Sequence, residues 1–158
     1  MNKKTKILIS VLAGVALCVV VGYAVSNASP GENDGHPNSN NSSGPADRVD
    51  VVYFHRTQRC YTCRYAEEGT RYALETYFAD ELASGRVTFQ VINVEDEANA
   101  DIVEKYNNAS YLTLCINAVR NGTDHIEEVT DIWLVISNDE AFVEAVKSRI
   151  EKSLNGET

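Results

Sequence analysis

Cys60 and Cys63 are the pair in this chain whose type and spacing could do chemistry. A Cys-x-x-Cys pair that opens a helix is suited to thiol–disulfide exchange, because free N–H groups and the helix dipole stabilise a thiolate at the first sulfur. The second sulfur lies one turn inside, close enough to close a disulfide onto the first. His55, Arg56, Arg59 and Arg64 crowd the same stretch. Cations near a thiol favour the thiolate, and Arg59 adjoins Cys60; the competing use for these arginines is pairing with Glu67 or Glu68. Two other uses of the cysteines stay open. They could be metal ligands with His55 or Cys115 nearby, although a closed zinc site wants four ligands. They could also form a purely structural staple. Cys115 alone reads either as an inert buried thiol or as a third thiol for the site.

The elements that must position the pair are legible on both sides. Val51-Val52-Tyr53-Phe54 is β-branched and aromatic, so Arg48 to His55 is expected to be a short buried strand. Ala66, Thr70, Ala73, Leu74, Tyr77, Phe78 and Leu82 recur at helical steps. They predict one helix over 61–84, ended by Gly85. Residues 86–95 carry apolar side chains on both faces, the pattern of a central strand covered by helices. Residues 97–107 have helical spacing at Ala98, Ile102, Val103 and Tyr106. A strand over 111–120, the hairpin signal Asn121-Gly122 and a return strand over 125–129 follow. Residues 131–136, with Trp133, are an ambiguous link. Ser137 and Glu140 spell a capping box for a last helix whose buried row is Phe142, Val146, Ile150 and Leu154. Trp133, Tyr65, Tyr72 and Tyr77 read as packing residues, and His125 as a solvated hairpin residue. This order predicts an α/β fold: a mixed four-stranded sheet with helices on both faces.

The N-terminal part reads differently. Residues 7–25 are almost wholly apolar and follow Lys3, Lys4 and Lys6. Such a helix spans roughly 28 Å at about 1.5 Å per residue, enough for a bilayer core of about 30 Å. The expectation is a short cytoplasmic N-terminus (1–6), a transmembrane signal anchor (7–25), a flexible linker (26–47) rich in Asn, Ser, Gly and Pro, and a folded domain (48–155) outside the cytoplasm. Cleavage after Ser26 or Ala28 would instead release a secreted domain. Cys18 reads as a thiol within the span and His36 as a solvated linker residue. Asp and Glu number 23 against 14 Lys and Arg, a formal net charge of -9. That balance argues against nucleic acid as a partner and against a polybasic grip on anionic lipid.

From strand-CxxC-helix at one end to Asn-Gly hairpin and closing helix at the other, the folded part resembles the thioredoxin-like superfamily. More closely, Tyr53-Phe54-His55-Arg56-Thr57 before Arg59-Cys60-x-x-Cys63, with Ile132-Trp133 before the last helix, resembles the ArsF-type (nitrophenyl compound nitroreductase subunit) thioredoxin-like family. The resemblance implies that Cys60 is the exposed nucleophile and Cys63 the buried resolving thiol. Together with the export and anchoring read from residues 1–47, it implies an exported, membrane-tethered thiol–disulfide oxidoreductase or electron-relay protein. Its partners would be protein or small-molecule thiols and disulfides, with a possible membrane electron donor. No flavin fingerprint or nicotinamide site is legible, and no cofactor is expected. Three departures from thioredoxins stand out. Arg-Cys-Tyr-Thr-Cys replaces Trp-Cys-Gly-Pro-Cys. Phe54 stands where thioredoxins bury an Asp, leaving His55 as the nearest substitute. Pro30, Pro37 and Pro45 all lie in the expected linker, so the cis-proline that faces the cysteines has no counterpart. Leu112 falls at its position and Thr113 at the Thr that follows it.

Overall fold

A computed structural model of the chain describes residues 44–157. The expected cytoplasmic segment, the transmembrane span, Cys18, His36 and most of the linker lie outside the described residues. Among the described residues, no helix is long and apolar enough to cross a membrane.

The chain runs through strand β1 (Arg48–His55), helices α1 (Tyr61–Tyr77) and α2 (Ala79–Ser84), strand β2 (Val87–Asn93), a 3-10 turn (Glu97–Asn99) and helix α3 (Ala100–Lys105). Strands β3 (Thr113–Arg120) and β4 (Thr123–Glu128), a second 3-10 turn (Asp131–Leu134) and helix α4 (Asp139–Asn155) complete it. The sheet has four strands in the order β2-β1-β3-β4. β1 is parallel to β2 and antiparallel to β3, and β3 is antiparallel to β4. This is the mixed four-stranded sheet expected from the element order. The Asn121-Gly122 hairpin forms with both residues at positive φ, 51° and 75°, the geometry that a type I′ turn requires.

Successive side chains of β1 point to opposite faces of the sheet. Val49, Val51 and Tyr53 enter the main core with Ala66, Leu74 and the α4 row Phe142, Val146, Ile150 and Leu154. Val52 and Phe54 enter a smaller core with Tyr106 and Cys115, flanked by Ile102 and Val103 of α3. Helices therefore lie on both faces, but unequally. The α1–α4 contact is close at Gly69: a Cβ there would meet Phe142 Cε1 at 2.8 Å. Gly69→Ala is expected to lower stability by about 1–3 kcal/mol through overpacking, read as a lower denaturant midpoint. An unchanged midpoint would show that the two helices separate at no cost.

Several sequence expectations are corrected. The helix over 61–84 is two helices, broken at Phe78, whose φ of -130° leaves the helical region. The apolar periodicity runs through the break because Phe78 is buried while Tyr77 turns outward. β2 is an edge strand rather than a central one; its two apolar faces are each covered, Phe89 and Val91 by the main core, Ile92 and Val94 by the smaller one. The second helix region splits into a 3-10 turn and the short α3, and β3 begins at Thr113. Asn138, not Ser137, caps α4, its side chain accepting from Ala141 N. Tyr72 and Tyr77, read as packing residues, are 57% and 48% exposed. His125 is half-buried in β4, and its N–H donates to Asn117 Oδ1 at 2.9 Å.

The packed unit also starts before the boundary expected at Arg48. Ala46 is buried and its N–H donates to Leu154 O at 3.3 Å. Asp47 N–H donates to Val119 O at 2.9 Å, and Asp47 Oδ2 accepts from Asn121 N at 2.7 Å. Arg120, buried, donates to Gly44 O at 2.7 Å. Residues 44–47 are thus stitched onto the β3–β4 hairpin and the end of α4. The left-handed Gly156 packs against the Gly44 backbone so closely that no Cβ fits there.

Candidate redox site

Cys60 caps α1. Its backbone is extended (φ -80°, ψ 173°) and its sulfur accepts from Cys63 N–H at 3.3 Å. A sulfur in the N-cap position satisfies one of the free N–H groups of the first turn. Cys60 is exposed and Cys63 is buried. Both are free thiols, with their sulfurs 2.8 Å apart and hydrogen-bonded, poised to close the bond of about 2.05 Å that joins a disulfide.

The two thiols are driven apart in acidity. The hydrogen bond from the Cys63 thiol, reinforced by the Cys63 N–H, pulls Cys60 below the ordinary thiol value. Burial pushes Cys63 up, and its hydrogen bond to Cys60 pushes it further. The exposed sulfur is therefore the one that ionises first. Alkylation by iodoacetamide should follow the thiolate fraction, rising as pH climbs through the Cys60 pKa. The expected midpoint lies below that of an ordinary free thiol, and Cys63→Ala is expected to move it upward. An unchanged midpoint in that variant would mean that the Cys63 hydrogen bond does not lower Cys60.

The arginines are placed differently from one another. Arg59 is turned onto Glu67, which also accepts from Arg71 Nη2 at 3.1 Å. Burial raises the Glu67 carboxyl, and the bonds from Arg59 and Arg71 more than offset it, leaving it below the usual carboxylate value. The expectation that Arg59 faces Cys60 gives way to the carboxylate two turns into α1. Arg56 lies over the Tyr111 ring, 4.5 Å from its centroid, and donates to Gln58 O at 3.2 Å. Its charge acts on Cys63, where it partly counters the burial. Arg64 is exposed, and its backbone N–H donates to Cys60 O at 3.2 Å. What lowers Cys60 is the neighbouring thiol and the helix-start backbone, in place of the arginines that the sequence suggested.

His55 is half-buried, and its Nδ1 donates to Arg56 O at 2.9 Å. Because a carbonyl only accepts, this bond fixes the proton on Nδ1 in the neutral ring. Leu112 and Thr113 lie at the start of β3. Thr113 is buried and pairs with Phe54 in the β1–β3 ladder. Leu112 sits just before it with φ 61°, and its N–H donates to Phe54 O at 2.9 Å. A proline could supply neither that conformation nor that donor. Cys115 pairs with Val52 on the smaller-core face, away from the face that Tyr53 shares with Cys63. Burial drives its thiol up to about 12, the state of an inert buried cysteine. The reading of Cys115 as a third site thiol is therefore dropped.

Tyr53 belongs to the apolar run of β1, yet its hydroxyl donates to Cys63 O at 2.9 Å. The signal was available: a tyrosine in a fully buried strand needs a partner for its O–H. Tyr53→Phe is expected to lower stability by about 1 kcal/mol, measured by chemical denaturation of the reduced protein; no change would mean that Cys63 O loses nothing. The loop before Cys60 is held as well. Thr57 N–H donates to Glu95 Oε2 at 3.0 Å, and Asn93 Nδ2 donates to Thr57 Oγ1 at 2.9 Å. These ties tether the site to the end of β2, and nothing in the apolar pattern announced them.

No protein-family model matches the chain, and no curated protein matches it. Its likeness is to solved thioredoxin-like structures. Human ERp44 in its zinc-bound form is 20% identical with a TM-score of 0.47, over 68% of this chain and 26% of that one. Thioredoxin O2 from Arabidopsis thaliana in the oxidized state is 17% identical with a TM-score of 0.44, over 69% of this chain and 77% of that one. A thioredoxin from Thermus thermophilus is 15% identical with a TM-score of 0.42, over 67% and 76% of the two chains. The chain thus spans about a quarter of the length of ERp44. These are likenesses of fold.

Proposed function

We propose that the chain is a thiol–disulfide oxidoreductase or electron-relay protein that works through Cys60 and Cys63. The observation that carries this reading is the division of labour within the pair: an exposed, helix-capping sulfur of lowered pKa, hydrogen-bonded to a buried sulfur of raised pKa. In the reducing direction, the Cys60 thiolate attacks one sulfur of a partner disulfide, forming a mixed disulfide and releasing the partner's other sulfur as thiolate. Cys63 then loses its proton and attacks Cys60 Sγ. The partner leaves as a dithiol and the Cys60–Cys63 disulfide holds the oxidised state. Two electrons and two protons pass, and the reverse steps oxidise a partner dithiol.

The same reading places the domain outside the cytoplasm, tethered by residues 7–25 and 26–47, with a membrane electron donor as a possible source of reducing equivalents. The apolar run after Lys3, Lys4 and Lys6 supports this. The closer kinship, to the ArsF-type nitroreductase-subunit family, rests on Tyr53-Phe54-His55-Arg56-Thr57, Arg59-Cys60-x-x-Cys63 and Ile132-Trp133.

The test is a redox titration of the full-length chain in glutathione buffers, with thiol trapping and mass readout. A reversible two-electron transition confined to Cys60 and Cys63, within about -270 to -120 mV, is the expected result. A transition far below that range would leave the disulfide as a staple. Trapping that is blocked until a chelator is added would make the pair a metal site.

A further inference from the structure

We propose that the groove between α1 and α4 is a docking site for a lysine- or arginine-bearing segment of a protein partner. This rests on the reading of Cys60 and Cys63 as an exchange pair, whose substrate specificity it would set. The groove encloses about 600 Å³. Its floor is Gly69 against Phe142, where the missing side chain lets the two helices close up. Its walls are the rings of Tyr65, Tyr72 and Tyr77, and its rim carries Glu68, Asp139, Glu140 and Glu144 with no lysine or arginine among the lining residues.

Aromatic faces beside carboxylates recognise cations, through the ring quadrupole and the opposite charge together. One such pairing is already made beside the groove, by Lys147, which is not itself a lining residue. Lys147 Nζ lies 5.4 Å from the Tyr77 ring centroid and 3.3 Å from Glu144 Oε2. Tyr65 is committed to Asp139, donating to Oδ1 at 2.5 Å. What remains is a second set of the same kind. Glu68 and Tyr72 stand one turn apart on α1, with Glu140 across the groove, and neither glutamate forms an ion pair with a described residue. Exposed glutamates are common; a glutamate beside a half-exposed tyrosine in a walled groove is a receptor for an ammonium or a guanidinium.

The groove also leads to the sulfurs. Tyr61, between the two cysteines, is 81% exposed and lies 6.3 Å from the Tyr65 ring centroid; Tyr65 lies 5.8 Å from that of Phe142. A peptide whose cysteine met Cys60 could lay its flanking residues along this aromatic path into the acidic groove.

Docking can be measured without chemistry. The full-length chain carrying Cys60→Ser and Cys63→Ser is titrated, by fluorescence anisotropy at low salt, with two labelled peptides. Both have serine at the position of the substrate cysteine; one carries lysine and arginine around it, the other glutamate. The basic peptide is expected to bind at least ten-fold more tightly. Glu68→Gln with Glu140→Gln should cut that preference at least five-fold, as should Tyr72→Ala, whereas Glu104→Gln, an exposed acid on α3, should leave it unchanged. Equal affinity for the two peptides would overturn the proposal. So would an effect of Glu104→Gln as large as that of Glu68→Gln with Glu140→Gln, because the attraction would then belong to the net charge. Exchange of the wild-type chain with a small neutral disulfide separates the two readings. Exchange without peptide preference removes the docking site alone; preference without exchange removes the redox function and leaves the groove.

Discussion

Cys60→Ser is expected to abolish disulfide exchange with a model peptide disulfide, whereas Cys63→Ser is expected to take the first step and stop. The exposed sulfur is the one whose thiolate is favoured and the one a partner can reach. Without it, the remaining thiol is buried, where a partner disulfide cannot reach it, and burial disfavours its thiolate. Without Cys63, the mixed disulfide formed by Cys60 has no internal thiol to resolve it and should accumulate, visible by mass as one peptide bound per chain. Removing the Cys63 donor also raises the Cys60 pKa, so this trapped species should form more slowly than the wild type reacts. Turnover near the wild-type rate in Cys60→Ser would assign the chemistry elsewhere, and an absence of the adduct in Cys63→Ser would remove the two-step mechanism.

Leu112→Pro is expected to destabilise the domain by at least about 3 kcal/mol, a large part of the roughly 5–15 kcal/mol that holds a domain together. A proline ring sets φ near -65°, against the 61° at which Leu112 sits. It also deletes the N–H that Leu112 donates to Phe54 O, and Phe54 is fully buried, so no water replaces the donor. Leu112 thus combines a left-handed backbone with a used donor, two requirements that a proline cannot meet. Leu112→Gly is the control. Glycine tolerates positive φ, so that variant should stay within about 1 kcal/mol of the wild type. A proline variant with an unchanged denaturant midpoint would mean that the loop rearranges freely to accept the ring, and that Leu112 confers nothing particular.

The site was legible because its parts are local. A β-branched and aromatic run, two cysteines and a 3.6-residue apolar period follow one another within a short span, and they fold as strand, loop and helix, the helix ending at Tyr77 rather than Ser84. The hairpin was legible because Asn121 and Gly122 tolerate the positive φ that the turn demands. What was not legible depends on partners distant in sequence or on choices between equal chemistries. That β2 lies at the edge is a fact about which strand pairs with which, and the apolar pattern reports only that both its faces are covered. Ser137 and Asn138 are neighbouring residues of similar capping ability, and only the local backbone chose between them. Arg59 could reach either Cys60 or Glu67; a partly buried carboxylate, shared with Arg71, won. Pro45-Ala46 has the composition of a linker, but Leu154 supplies an acceptor for the Ala46 N–H, and a buried Arg120 binds Gly44.

That last feature has a mechanical side. β1 joins the stitched residues 44–47 at one end to the cysteine loop at the other, eight residues and roughly 26 Å apart at about 3.3 Å each. Tension applied at Gly44 meets the clamp made by Arg120, Asn121 and Leu154 before it reaches the strand. Beyond the clamp, β1 is bonded to β2 on one side and β3 on the other. A pull along its length therefore loads two ladders in shear, where many bonds must yield together, instead of peeling one edge bond by bond. The thiols sit beyond the last of those bonds. A domain dragged by this end would keep its reactive loop slack.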